Sequence, residues 1–164
     1  EYAKRVIQNA KWTSEDLAWL VRRDSGMRAR TACTLWRTLV RPKMEYAAEL
    51  WGGELSLTQV KEMEQIQTDF CRLLLGLQGV QRVANDVLRA ELGMERLQAR
   101  WAKLRMGYWR RLQVASPDRL LSHLNTIRKA HSELEGSIAQ GWMVGTRKML
   151  EIHGLGQFWQ YPGL

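Results

Sequence analysis

Along most of the chain apolar residues recur at steps of three and four, the spacing of one face of an α-helix. The clearest case follows Leu57, where Val60, Met63, Ile66, Phe70 and Leu73 or Leu74 share a face and Lys61, Glu62, Glu64, Gln65 and Asp69 point away. Gly76 closes this helix as a left-handed cap. Upstream, Val6, Ile7, Ala10, Leu17, Leu20 and Val21 predict helix from Glu1 to about Asp24. Thr13 or Ser14 followed by Glu15 and Asp16 reads as an N-cap, so two helices or a kink are expected there. Ser25-Gly26 marks a turn, and Met27 to Leu39 resumes with Ala32, Leu35, Trp36 and Leu39 on one side. Beyond Gly76, helices are predicted from about Arg82 to Leu92, closed by Gly93, and from Met94 to Ala115, with Leu97, Trp101, Leu104, Tyr108 and Leu112 inward. A more polar helix from Arg119 to Glu135 stops at Gly136. A last one, from about Ala139 to Ile152, is weakened by Gly141 and Gly145. The tail from His153 reads as loop with aromatic anchors.

One stretch departs from this regularity. In Leu39–Gly53, LVRPKMEYAAELWGG, Pro42 fixes φ and lacks an amide hydrogen, so it opens a helix more readily than it continues one. Arg41, before it, is biased toward extended backbone. One helix should therefore end near Val40 and a second run from Pro42 to Gly52-Gly53. Met44, Tyr46, Ala47, Ala48, Leu50 and Trp51 make that short helix nearly apolar all round, which predicts a central packing element with Trp51 buried.

The expected fold is all-α, a compact bundle of about six to eight helices with no significant sheet. Residues 1–135 should form one helical domain, with residues 136–164 a helix and tail packed on it or extending from it. The composition, 45% hydrophobic and 26% charged, is that of a globular chain and excludes a disordered one. No apolar run is long enough to span a bilayer and no signal-peptide pattern occurs, which predicts a soluble protein of the nucleus or cytoplasm. The first residue is Glu1 rather than methionine, the expectation for a piece of a longer chain.

Charge changes the picture more. The net charge is +8, which points to a polyanionic partner. It is uneven, since Met94 to Val114 carry six basic residues against one acidic, whereas Trp51 to Leu75 are net acidic. Arg96, Arg100, Lys103 and Arg110 fall at helical steps of four, three and seven, and Arg111 adjoins them. These five residues are the candidate nucleic-acid-binding set, because guanidinium groups hold phosphate in bidentate fashion. The competing account is a solvated helix face. Among eight tryptophans, Trp36, Trp51 and Trp101 read as core, and Trp109, between Tyr108 and Arg110-Arg111, is the better candidate to face a ligand, although core packing explains it too.

No catalytic constellation is found. His123, His131 and His153 are too scattered to form a zinc site with Cys33 and Cys71, which read as buried free thiols. The adjacent acids Glu15-Asp16 are accounted for by helix capping, and no phosphate loop or nucleophile elbow occurs. Neither metal, cofactor nor small-molecule substrate is expected, and the chain is not expected to be an enzyme by itself.

The motif order Leu39-Val40-Arg41-Pro42-x-x-Glu45-Tyr46-Ala47-x-Glu49-x-Trp51-Gly52, then Glu64-Gln65-Ile66-Gln67-x-x-Phe70-x-Arg72-x-x-Leu75-Gly76, then Glu91-Leu92-Gly93 and Tyr108-Trp109-x-Arg111-Leu112, resembles the helical region after the palm in non-LTR (LINE-type) retrotransposon reverse transcriptases. The resemblance runs from Ala3 to Leu121 and is most specific from Val40 to Gly52. It implies a thumb domain that holds an RNA–DNA or DNA template-primer duplex through phosphate contacts and docks on the palm of a parent RNA-directed DNA polymerase. That family's paired catalytic aspartates have no counterpart here, since Asp-Asp does not occur. The alternative is a helical protein-interaction module whose basic face meets an acidic protein.

Overall fold

The computed structural model describes residues 2–24, 26–80, 82–134 and 141–159, without the side chains of 128 and 131–134. These residues form an all-α fold with no strand among them. The helices are α1 (Tyr2–Arg23), α2 (Ala29–Leu35), α3 (Arg41–Glu45), α4 (Ala48–Trp51), α5 (Leu57–Leu74), α6 (Asn85–Glu91), α7 (Leu97–Gln113), α8 (Leu120–Leu134) and α9 (Trp142–Ile152). A π-helical turn, Trp36–Val40, lies between α2 and α3, and a 3-10 turn, Gly156–Trp159, follows α9. The predicted stop at Gly136 and start at Ala139 lie outside the described residues. The chain divides into two compact units, Glu1–Tyr46 with Leu55–Arg100, and Ala47–Glu54 with Trp101–Leu164.

In the first unit α1 is a single helix of 22 residues and not two. Thr13 does not cap, because its Oγ1 donates back to the Asn9 carbonyl at 2.8 Å, a bond compatible with uninterrupted helix. Val6, Ala10, Ser14 and Leu17 are its buried line. Glu15 and Asp16 therefore lie on an exposed mid-helix surface.

Pro42 also behaves differently from the local rule. Both Val40 and Arg41 are right-handed helical, and the chain passes from α2 into α3 without an extended residue. The π-turn explains this: the Arg41 amide donates to Trp36, five residues back, so the backbone is already widened where the proline ring enters. The break comes later, at Ala47, which is left-handed (φ 54°, ψ 24°) without being glycine.

The core of this unit gathers Trp36, Val40 and Met44 with Val60, Met63, Phe70 and Cys71 of α5. Trp36 and Phe70 stack at 4.6 Å. A capping box starts α5, with Ser56 Oγ accepting from the Gln59 amide and Gln59 Oε1 from the Ser56 amide. Gly76 and Gly93 take left-handed conformations where the sequence places helix ends.

The second unit is built on tryptophan. Trp109, Met143, Leu150 and Trp159 form a buried cluster, flanked by Met106, Trp142, Leu155 and Phe158. Trp101 is buried and Trp51 only half-buried, the two rings lying 5.7 Å apart. Trp51, at the end of the four-residue α4, is thus less buried than the sequence predicts. Arg105 is only 3% exposed. Its Nε donates to Thr146 Oγ1 at 3.0 Å, and its Nη2 donates to the Trp142 carbonyl at 3.0 Å and to Glu54 Oε1 at 3.1 Å. Gly53 and Gly145 make room for it, since a Cβ on Gly53 would lie 1.6 Å from Arg105 Nη1 and one on Gly145 3.1 Å from Nη2. The glycines after Trp51 thus allow close approach as well as ending a helix.

Candidate nucleic-acid interface

The five predicted binding residues fall into two groups. Arg96 and Arg100 belong to the first unit, and Lys103, Arg110 and Arg111 to the second. Arg96 stands at the N-terminal end of α7, its carbonyl accepting from the Arg100 amide at 3.1 Å.

In the first unit both arginines meet carboxylates. The Arg96 guanidinium donates to both oxygens of Asp86, its Nε at 2.9 Å from Oδ1. Hydrogen bonds from Arg96, and then from Arg89, hold the Asp86 carboxyl down at about 2. The same pair raises Arg96 further above its ordinary value. Arg100 engages Glu45 with two nitrogens, Nη2 at 3.1 Å from Oε2, and also stands 3.5 Å from Glu95. Either arginine would meet a phosphate with part of its guanidinium and its charge already committed to a carboxylate.

In the second unit Lys103, Arg110 and Arg111 are exposed. Arg111 lies over the Tyr108 ring at 5.7 Å. Arg105, from the same basic run, is spent on the interior. Trp109 is buried against Met143, Leu150 and Trp159, and so packs in the core and does not face a ligand.

Elsewhere in the first unit, partners divide the arginines and leave a surface that spacing did not single out. Arg37 donates to the Gly93 carbonyl, Arg72 ties the loop after α5 to Val80 and Asn85, and buried Arg89 bonds Glu64, Thr68 and Asp86. Arg22, Arg23, Arg28 and Arg30, at the end of α1 and the start of α2, are exposed, and among the described residues none forms an ion pair. The single acid between them, Asp24, accepts from the Gly26 amide. On α1, Trp12 and Trp19 are 58% and 57% exposed, and Arg23 sits 5.0 Å from the centre of the Trp19 ring. The sequence signal was the seven-residue step from Arg5 to Trp12 to Trp19, opposite the buried line; a break placed at Trp12–Ser14 hides it.

The remaining chemistry is quiet. Burial pushes the Cys71 thiol up to about 12 and raises Cys33, so both stay protonated and unreactive. Among the described residues no three His, Cys, Asp or Glu gather as metal ligands, and no helix is long and apolar enough to cross a membrane. A groove of about 520 Å³ between α1 and α5 has Lys11 and Lys61 on its rim against Glu62 and Asp69, so its charge selects neither sign. Comparison with protein-family models, curated proteins and solved structures finds no match.

Proposed function

We propose that the chain is a nucleic-acid-binding helical domain, and that it serves, as its motif order suggests, as the thumb-type region of a non-LTR retrotransposon reverse transcriptase that holds a template-primer duplex beside a palm domain. The observation that carries the binding reading is the cluster Arg22, Arg23, Arg28 and Arg30, four exposed guanidinium groups within nine residues with one acid among them. Helix dipole complementarity accounts for Arg22 and Arg23 in the last turn of α1, but Arg28 and Arg30 stand at the start of α2, where positive charge is unfavourable. An arrangement that costs stability and gathers charge is suited to a polyanion. Arg110 and Arg111 are likewise exposed, on the second unit.

One feature supports the second reading, a protein-interaction module. Leu120, Leu121, Leu124 and Ile127 are exposed along one side of α8, an apolar stripe a partner helix could cover. Titration of the protein with a labelled RNA–DNA hybrid at two salt concentrations separates the readings. Nucleic-acid binding predicts affinity at low salt that falls steeply as salt rises. Undetectable affinity at low salt would favour the interaction module.

A further inference from the structure

We infer that the exposed face of α1, with the adjoining start of α2, is a binding site for single-stranded nucleic acid, in which Trp12 and Trp19 stack on bases while Arg5, Arg23, Arg28 and Arg30 hold the phosphates. The inference rests on the nucleic-acid reading alone, and gives this surface a single strand in place of the template-primer duplex.

α1 is one uninterrupted helix. Counting 100° per residue, Arg5, Trp12, Trp19 and Arg23 fall within about 40° of one another, opposite Val6, Ala10 and Leu17. Two indole rings on an exposed stripe are unusual for a globular chain, because each leaves a large apolar surface in water. In this unit a tryptophan can be packed fully, as Trp36 is at 1% exposure. Trp12 and Trp19 are held out by their positions on the helix.

The charge around them selects the occupant. Residues 2–31 hold seven basic side chains and three acidic ones, of which Glu15 and Asp16 lie between the two indoles. The excess that favours an anion comes from Arg5 toward one end and from Arg22, Arg23, Arg28 and Arg30 at the other. An acidic peptide satisfies the arginines but offers few flat rings to the indoles. A base-paired duplex offers phosphates but keeps its base faces stacked inside. A single strand presents both, a phosphate at every residue and a base whose π-face is free, the combination of aromatic platform and cationic track by which such strands are held. Trp12 and Trp19 are about 10 Å apart along the helix axis, so they serve as separate platforms for different bases.

The test measures binding of labelled oligo-dT and of poly-glutamate to the whole chain, for wild type, Trp12→Ala/Trp19→Ala and Trp12→Phe/Trp19→Phe. The account predicts that the alanine pair weakens oligo-dT binding at least about tenfold, that the phenylalanine pair stays within about threefold of wild type, and that poly-glutamate binds wild type far more weakly than oligo-dT. Equal affinity of the alanine pair and wild type for oligo-dT, or poly-glutamate binding as tight as oligo-dT, overturns the inference while leaving the charge-based reading in place. Absence of binding to every nucleic acid overturns both. As a check independent of folding in the variants, photocrosslinking of a 5-iodouracil-substituted strand to the wild type should form adducts at Trp12 or Trp19, and adducts confined to other residues contradict the assignment.

Discussion

Two arginine-rich regions of the first unit use the same side chain for opposite purposes. Arg89, Arg96 and Arg100 face carboxylates, with Arg89 buried between Glu64 and Asp86. At the corner of α1 and α2, Arg22, Arg23, Arg28 and Arg30 face water. The run from Arg96 to Arg111 holds six basic residues and no acid, yet its first two arginines are partnered through folding. Charge density in a sequence counts cations, whereas binding depends on cations still free to exchange water for phosphate. What decides between them is whether acids distant in sequence, here Glu45 and Glu64, are brought alongside.

The largest expected contrast is in stability. Arg89→Ala removes the partner of a mostly buried Glu64 and should cost about 3 to 5 kcal/mol, whereas Arg22→Ala should stay within about 0.5 kcal/mol, both read from urea unfolding. Similar costs at the two sites would erase the distinction. Tryptophan extends the contrast: Trp36→Ala should cost about 3 to 5 kcal/mol, and Trp12→Ala less than about 1 kcal/mol.

A smaller effect concerns pH. Asp86 titrates near 2 in the folded chain and near 3.8 when unperturbed, so its pair with Arg96 and Arg89 contributes stability above pH 4 that is lost as pH falls toward 2. In Asp86→Asn the acid-side loss of stability between pH 4 and 2 should be shallower than in wild type. An unchanged acid limb would mean that the pair contributes nothing. The same substitution frees Arg96, and a modest gain in polyanion affinity at neutral pH is the accompanying expectation.

Much of the helical order could be read from the sequence because apolar periodicity is a property of neighbours along the chain. The α5 face and the left-handed ends at Gly76 and Gly93 follow from it. Three features depend on relations that periodicity does not carry. Thr13 can cap a new helix or bond back to Asn9, and only the packing of Ala10, Ser14 and Leu17 along one line favours the second. Pro42 is tolerated because of the π-turn before it, and the true break falls at left-handed Ala47, which no local rule favours. Arg105 counts as surface charge in sequence, whereas Thr146, Trp142 and Glu54, all remote along the chain, draw it inside. The candidate site was obscured for the first reason, since a kink at Trp12–Ser14 separates Trp12 from Trp19.

The most direct measurement of the central claim is the salt dependence of oligo-dT affinity for three proteins: wild type, Arg96→Gln, and the combined Arg22→Gln, Arg23→Gln, Arg28→Gln and Arg30→Gln variant. Each phosphate contact on a single strand contributes about 0.7 to the slope of log affinity against log salt. The account predicts that the corner variant loses about 2 to 3 units of slope and that Arg96→Gln leaves the slope within about half a unit of wild type. A slope unchanged in the corner variant and reduced in Arg96→Gln would contradict it.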